Sequence, residues 1–212
     1  MIIGLVGFIG SGKNSAAEYL IAAYNFKQES FASSLKDTLS CIFGWNRNKL
    51  EGISELDREW RNQIDPWWAQ QLNMPDLTPR KMLQQIGTDL FRDHFHNDIW
   101  IASLENKLQK YSENIVVTDC RFPNEIEAIR KLGGIIVRVK RGIEPEWFND
   151  ALYLNQNPNT KYQDFLQDRL DRNNIHSSEI AWIGTEFDYI LENDKSLVDL
   201  YLQVDKLLKI WS

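Results

Sequence analysis

Cysteine, basic charge and long apolar runs are all scarce in this chain, and each shortage excludes a class of protein. Cys41 and Cys120 are the only cysteines among 212 residues, which is too few for a disulfide framework. No spacing of Cys and His residues indicates a zinc site. This cysteine usage is typical of a reducing cytoplasm, where we expect the protein to work.

No apolar run reaches the roughly 18 residues that a membrane-spanning helix needs. Ile2–Val6 resembles the core of a signal peptide, but no basic residue precedes it and a glycine-rich stretch follows directly. Lysine and arginine number 24 against 30 aspartates and glutamates, which gives a net charge of -6. A positive face for stable binding of nucleic acid is therefore not expected, and any phosphate must be recognised by a few local basic residues.

Short apolar runs alternate with helical patterns, which is typical of a parallel sheet covered by helices. The runs are apolar throughout, as buried parallel strands are, and they predict strands at 2–6, 114–118, 135–139 and 187–191. Helices are predicted at 15–24, 124–132 and 197–211, the last from apolar residues that recur every three or four positions. The sequence therefore predicts an α/β fold with helices on both faces of the sheet.

Two stretches interrupt this alternation. Residues 33–95 lack a strand signal and hold four of the eight tryptophans, whereas residues 142–178 are polar, with too few apolar residues for a core of their own. Loops this long inside a compact domain are uncommon unless they are functional. We interpret the chain as one domain that carries both stretches as insertions, with its core at 1–32, 96–141 and 179–212.

A glycine-rich loop follows the first predicted strand. Residues 7–13 read GFIGSGK and match the first seven positions of the phosphate-binding pattern G-x-x-x-x-G-K-[ST]. Glycines let consecutive backbone N–H groups turn toward phosphate oxygens, and Lys13 adds positive charge at the start of a helix. We interpret the loop as a nucleoside triphosphate site rather than a plain turn. Asn14 stands where a magnesium-binding Ser or Thr is usual, so either Asn14 or Ser15 would meet the metal.

An acidic residue follows the predicted strand at 114–118. Asp119 stands at the edge where parallel sheets gather their ligands, so it is a candidate for binding magnesium through water. Arg121 would point the same way if the strand continues, and it could clamp a phosphoryl group. The alternative is an aspartate that caps the next helix and an arginine in a surface pair. Cys120 between them is more typical of a space-filling residue than of a nucleophile.

The first insertion contains a candidate phosphate-binding helix. Thr78 and Pro79 predict its start, and Arg80 and Gln84, four residues apart, share one face. An arginine and an amide on one face could bind a substrate phosphate and the edge of a base. The alternative is an ordinary face exposed to solvent. The HFH sequence at 94–96 suggests a metal, but with no third ligand nearby we expect a structural role.

The second insertion contains two further arginines. Arg169 and Arg172 lie three residues apart and are candidates to close over bound phosphates, although Asp168 and Asp171 are alternative partners for them. His176 is followed by a pattern typical of a helix start, so it indicates the start of a helix as much as a functional site. We expect this insertion to be mobile in the free protein.

Taken in order, these motifs resemble those of the bacteriophage deoxynucleoside monophosphate kinases, a branch of the P-loop nucleotide kinases. The resemblance covers nearly the whole chain and rests on SGKNSAAEYL, FASSLKDTL, RKMLQQIGTDL, VVTDCRFPNEIEAIRKLGG, VKRG, HSSE and YILENDKSL. It implies a P-loop kinase fold with a five-stranded parallel sheet, a monophosphate-binding insertion at 33–95 and a lid at 142–178. It also implies transfer of the ATP γ-phosphoryl group, with Mg²⁺, to a deoxynucleoside monophosphate in the cytoplasm of an infected host cell.

The resemblance implies roles for the residues that match its motifs. ATP would be bound by Gly10, Ser11, Gly12, Lys13, Asn14, Ser15 and Arg141, with Asn193 and Asp194 where adenine is expected. Magnesium would be bound by Ser15 and Asp119. The monophosphate would be approached by Lys36, Arg80, Gln84, Thr88, Asp89 and Arg121. The candidates for catalysis are Lys13, Arg80, Arg121, Arg169 and Arg172.

The chemistry implied by the resemblance needs no general base. The acceptor oxygen of a monophosphate is already anionic, so positioning and charge neutralisation suffice. Two alternatives remain, namely a P-loop kinase of dephospho-coenzyme A, phosphomevalonate or a similar metabolite, and a P-loop NTPase switch, which the acidic charge disfavours. The tryptophans of the first insertion favour a flat base as acceptor. The preferred base and the possibility of a homodimer are left open by the sequence.

Overall fold

The computed structural model describes residues 1–172, 175 and 177–211. The predicted helix-start residue His176 lies outside these ranges. The chain divides into two units, the first formed by Met1–Ser30 with Tyr111–Ser212 and the second by Phe31–Lys110. The predicted insertion at 33–95 falls within the second unit, which also takes in residues 96–110.

The first unit is built on five parallel strands in the order β2-β3-β1-β4-β5. Their bounds are β1 Ile2–Val6, β2 Lys27–Glu29, β3 Ile115–Val117, β4 Ile135–Lys140 and β5 Tyr189–Glu192. The prediction of a five-stranded parallel sheet is confirmed. Strand β2 was not predicted, because its residues Lys, Gln and Glu form no apolar run at the edge of the sheet.

Twelve α-helices and one π-helix are found in the described residues. They are α1 Lys13–Tyr24, α2 Ser33–Phe43, α3 Arg47–Glu51, α4 Glu55–Asn62, α5 Pro66–Gln71, α6 Pro79–Gln84, the π-helix Gln85–Phe95, α7 Ile99–Leu108, α8 Pro123–Lys131, α9 Phe148–Gln156, α10 Gln163–Arg172, α11 Ser177–Ile180 and α12 Leu197–Trp211. None of the helices in the described part of the chain has the length and apolar character to cross a membrane.

Helices cover both faces of the sheet, as predicted. Ile3 and Leu5 of β1 belong to the core that includes buried residues of α1 and α12. Gly4 faces the other way, and a Cβ there would lie 2.9 Å from Ile136 and 3.5 Å from Ile129 of α8. Each large apolar side chain that is fully buried stabilises the fold by about 1.5 to 3 kcal/mol. The apolar packing on the two faces of the sheet therefore holds the strand ends in fixed positions.

The tryptophans of the second unit pack against its own side chains. The rings of Trp45 and Phe43 stack with centroids 4.2 Å apart, and Trp68 meets Phe43 edge-on at 4.9 Å. The Trp45 indole N–H donates to Asp65 over 2.8 Å, and that of Trp68 donates to the Phe43 carbonyl over 3.0 Å. Trp45 and Trp68 are thus structural, and the interpretation of these tryptophans as a sign of a flat base is withdrawn for both.

The helix predicted from Thr78 begins as expected, but it changes geometry after one and a half turns. The Thr78 hydroxyl accepts from the Lys81 N–H over 3.1 Å, and α6 then continues into the π-helix. Within the π-helix, a Cβ on Gly87 would lie 2.5 Å from Leu35. The Gly87 carbonyl accepts from the Trp100 indole N–H over 2.9 Å. Close packing and this hydrogen bond stabilise the wide turn, a rare geometry that is frequently found at functional sites.

The polar stretch at 142–178 buries some of its apolar side chains. Ala151 of α9 and Leu170 of α10 are fully buried. The Asn155 amide donates to the carbonyls of Ile180 and Ile183 over 2.8 and 2.9 Å. Both helices thus contribute a buried apolar residue, while the expectation that the stretch has too few apolar residues for a core of its own and is mobile in the free protein stays a prediction.

Replacing Trp100 by Phe tests the hydrogen bond at the π-helix. The change leaves the buried Gly87 carbonyl without its donor, so we expect a loss of about 1 to 3 kcal/mol in the free energy of unfolding. Urea unfolding of Trp100→Phe measures it, with Trp67→Phe as the control because Trp67 is 59% exposed. Equal unfolding energies for the two variants would contradict a stabilising role for the bond.

Candidate functional site

The residues that follow the strands of the first unit meet at one edge of its sheet, because all five strands are parallel. The glycine loop follows β1, Asp119 comes shortly after β3, Arg141 follows β4 and Asn193 follows β5. These segments are far apart in the sequence. The fold therefore gathers four of the predicted site segments at the edge where ligands bind in such sheets.

The glycine loop needs glycine for two separate reasons. Gly7, Gly10 and Gly12 have φ angles of 142°, 79° and 103°, a region that other residues rarely adopt. A Cβ on Gly7 would lie 2.3 Å from the Val139 carbonyl oxygen, and one on Gly12 would lie 2.2 Å from the side-chain nitrogen of Asn193. The loop thus lies directly against the ends of β4 and β5.

Lys13 is folded back onto the loop. Its ammonium donates to the carbonyls of Gly7 and Phe8 over 2.7 and 2.9 Å. The pKa of Lys13 is lowered from its ordinary 10.5 to about 8, chiefly by burial and also by the nearby positive charge of Arg121, against the opposing effects of Cys120 and Asp119. A desolvated cation of this kind gains stabilisation when an anion arrives. The loop therefore has the chemistry of an anion-binding site.

A buried carboxylate fixes the turn that carries Asp119 and Arg121. Strand β3 ends at Val117, so the condition under which Arg121 would point the same way as Asp119, a continued strand, is not met. The Glu125 carboxylate accepts from the N–H groups of Arg121 and Phe122 over 2.8 and 3.1 Å. Glu125 was missed, although a glutamate at the third position of a helix that begins with proline is a capping signal.

Two other predictions of structural roles are confirmed. Cys120 is buried, and burial raises the pKa of its thiol well above the ordinary value, so it fills space and is not poised as a nucleophile. His96 accepts from the Asp98 N–H over 3.1 Å at the start of α7, and the His94 ring contacts the Asp89 carbonyl. Both histidines serve the local backbone.

The residues after β5 bind the protein backbone. Asn193 is only 8% exposed, and its side-chain amide donates to the Ser11 carbonyl over 2.8 Å. The Asp194 carboxylate accepts from the Gly142 N–H over 2.5 Å. The resemblance implied an adenine site here, whereas in the structure Asn193 contacts the glycine loop.

Aromatic rings link the loop to the segment after β4. The Phe8 ring packs edge-on against Trp182 and Trp147, with centroids 5.0 and 5.4 Å apart. The Arg138 guanidinium lies 5.0 Å from the Trp182 ring and pairs with Glu144 over 2.5 Å. Arg138 was not predicted as a site residue, because it lies inside an apolar strand. A lone charged residue at such a buried position was nevertheless a signal that could have identified it.

The two arginines of the second insertion are paired with aspartates. Arg169 lies 3.2 Å from an oxygen of Asp150, and Arg172 pairs with Asp168. The alternative partner predicted for Arg172 is therefore the one observed, while Arg169 pairs with a residue of α9 that the sequence did not indicate. A role for either arginine at a phosphate stays a prediction.

In the second unit, Lys36 already has a carboxylate partner. Its ammonium lies 2.6 Å from Glu51, which also pairs with Arg47. Burial alone would raise the pKa of Glu51, but the two cations hold it below its ordinary value. A phosphate that binds Lys36 would therefore compete with this ion pair.

The other residues predicted to approach the monophosphate lie on α6 and the π-helix. Arg80 and Gln84 are exposed, four residues apart on α6 as predicted. Thr88 and Asp89 lie on the π-helix, where the register differs from that of an α-helix. Arg80 and Gln84 thus share one face of α6, and the contact of all four residues with a monophosphate stays a prediction.

A resident metal is not indicated by the described residues, in which no three His, Cys, Asp or Glu side chains are grouped to hold one. Magnesium in kinases is bound by one or two carboxylates together with substrate phosphates. Asn14 is exposed and Ser15 half-buried in the first turn of α1. Either residue is therefore placed to bind magnesium, and that role stays a prediction.

The chain is similar to proteins named as deoxynucleotide monophosphate kinases. The model of a family described as deoxynucleotide monophosphate kinase matches residues 62–151. A protein of Acanthamoeba polyphaga mimivirus, provisionally named a deoxynucleotide monophosphate kinase, is 28% identical and covers 96% of this chain and 94% of its own. The deoxynucleotide monophosphate kinase of Enterobacteria phage T4 is 20% identical and covers 99% of each chain. The predicted resemblance is confirmed.

Among solved structures, the chain is similar to a shikimate kinase from Bacteroides thetaiotaomicron, with a TM-score of 0.46 and 15% identity over 100% of this chain and 98% of that one. The fold assignment rests on the strand order and the glycine loop described above.

The lowered pKa of Lys13 predicts a specific pH dependence of stability. Between about pH 8 and 10.5 the unfolded chain binds more protons than the folded protein, so the free energy of unfolding rises with pH in this window. Lys13→Ala removes this contribution. We expect the difference in unfolding energy, wild type minus variant, to increase from about pH 7 to about pH 10 in urea titrations. The same increase with Lys161→Ala, a change at an exposed lysine, would contradict it.

Proposed function

We infer that this relative of the deoxynucleotide monophosphate kinases transfers the γ-phosphoryl group of ATP to a deoxynucleoside monophosphate, giving ADP and the diphosphate. The observation that carries this proposal is the glycine loop with Lys13 at the carboxyl edge of a parallel sheet. Similarity to named kinases over nearly the whole chain supports the same reaction. Viral relatives support a place of action inside an infected cell.

The loop and Lys13 supply most of the chemistry on the ATP side. Backbone N–H groups of the loop bind the phosphates, and the Lys13 ammonium neutralises charge on the reacting oxygens. The acceptor oxygen is already anionic, so the protein has no proton to remove. Its task is to align the two substrates and to keep water out while the phosphoryl group moves.

Magnesium fits the residues near the loop. Asp119 acts electrostatically on Lys13, and the Ser15 hydroxyl lies in the first turn of α1, with Asn14 beside it. These hard oxygen donors suit Mg²⁺, which when bound would neutralise negative charge on the phosphates of ATP. We assign Asp119 to the ion, with Ser15 or Asn14 as its second protein ligand.

The remaining site residues are proposed for the acceptor and for closure. Arg80, Gln84 and Arg121 have the donor groups to bind a monophosphate and its base. The segment 142–178 is proposed as a lid, in which Arg169 or Arg172 would leave its aspartate to reach the phosphates. Arg141 stands at the start of this segment.

An acceptor panel tests the proposed function. Purified protein is given ATP and each deoxy- and ribonucleoside monophosphate, dephospho-coenzyme A and phosphomevalonate, and ADP formation is followed. We expect turnover with at least one deoxynucleoside monophosphate, and a loss of roughly 10²-fold or more in Lys13→Ala, because a group that stabilises transferring charge is removed. Turnover with another metabolite but with no deoxynucleoside monophosphate, or only acceptor-independent hydrolysis stimulated by DNA, would overturn the assignment.

Arg80→Lys tests the acceptor site. Lysine keeps the charge but loses the planar fork that binds a phosphate through two hydrogen bonds. We expect a KM for the monophosphate raised by about tenfold, with the KM for ATP unchanged. The neighbouring substitution Lys81→Ala, at a residue that pairs with Asp76, is the control. If Arg80→Lys and Lys81→Ala have the same acceptor KM, Arg80 does not bind the monophosphate.

A further inference from the structure

We propose that Asn193 is a positioning residue for the glycine loop, and that it orients the Gly12 N–H toward the phosphates of the bound nucleotide. The proposal rests on the proposed function only in taking ATP as the ligand of the loop. It gives Asn193 a different task from contact with the adenine base.

Asn193 is itself held in place by the sheet. It directly follows β5, whose pairing with β4 extends to Lys140 and Glu192. The Asn193 backbone N–H donates to the Lys140 carbonyl over 2.7 Å. Because the residue is 8% exposed, its side-chain donor is largely removed from water and contributes a directed bond, 2.8 Å long, to the Ser11 carbonyl.

This bond sets the direction of one N–H group in the loop. The Ser11 carbonyl and the Gly12 N–H belong to the same planar trans peptide, so they point in opposite directions. A Ser11 carbonyl held toward Asn193 therefore turns the Gly12 N–H away from Asn193. On its other side, Gly12 is fixed by its own carbonyl, which accepts from the Ala16 N–H of α1 over 3.0 Å.

The same contact explains the glycine at position 12. A Cβ there would lie 2.2 Å from the Asn193 amide nitrogen, and the φ angle of 103° independently favours glycine. The amide can reach the Ser11 carbonyl only because no side chain stands between them. A donor fixed before the ligand arrives needs no reorganisation when charge has to be stabilised.

Binding of a ligand without a base separates positioning from base contact. Calorimetric titrations of the free protein with MgATP and with magnesium tripolyphosphate compare wild type, Asn193→Asp and Asn193→Ala. The carboxylate of Asn193→Asp would repel the Ser11 carbonyl, and the Ala variant removes the donor. We expect both ligands to bind about tenfold more weakly to both variants, as loss of one directed hydrogen bond implies.

Gln203→Glu is the matched control. The Gln203 amide of α12 also donates to backbone carbonyls of the same unit, those of Glu192 and Asp199, over 2.8 and 3.2 Å. Thermal unfolding of all variants shows that they are folded, and Gln203→Glu should bind both ligands as wild type does. Equal weakening in Gln203→Glu would reduce the effect to general destabilisation and overturn the proposal.

The remaining outcomes are also decisive. Weaker MgATP binding with unchanged tripolyphosphate binding would assign Asn193 to the base and overturn positioning, as would unchanged binding of both ligands to folded variants. If Asn193→Asp does not fold, Asn193→Ala alone carries the comparison. Wild-type protein that binds both ligands but phosphorylates no monophosphate would overturn the proposed function and leave this inference standing.

Discussion

The close approach of the glycine loop to the ends of β4 and β5 is the constraint on which the site depends. Gly7 lies against the Val139 carbonyl and Gly12 against Asn193, with no space for a side chain at either position. The loop is therefore shaped by the sheet edge as well as by its own sequence. Since Lys13 bonds to the carbonyls of Gly7 and Phe8, the position of the cation follows from the same packing.

A buried cation in this position is costly for the fold and useful for binding. Desolvation disfavours the charged form of Lys13, and the positive charge of Arg121 adds to that effect. A polyphosphate would relieve both, because it brings negative charge close to the buried Lys13 ammonium and to the positive charge of Arg121. Active sites commonly retain such unfavourable electrostatics because the ligand compensates them. The lowered pKa of Lys13 therefore fits a site at which a phosphoryl group is transferred.

Much of the first unit could be predicted from local patterns. Buried parallel strands are apolar throughout, so β1, β3 and β4 were recognisable, and the loop after β1 carries a motif whose spacing reflects phosphate geometry. The polar strand β2 has no such pattern. The π-helix was also missed, because close packing of Gly87 on Leu35 and the bond from Trp100 favour the wide turn. These contacts join residues far apart in the chain, which no local period records.

By itself, the sequence determined the fold class, the loop with Lys13, and the strand end that carries Asp119, because each depends on neighbours within a few residues. Only the tertiary structure decided which side chains hold these groups in place. The bond from Asn193 to the Ser11 carbonyl spans 182 positions of the chain. The stacking of Arg138 on Trp182 likewise joins two distant segments. Such partners are set by the order of the strands and the burial of their ends, and these exist only once the sheet has formed.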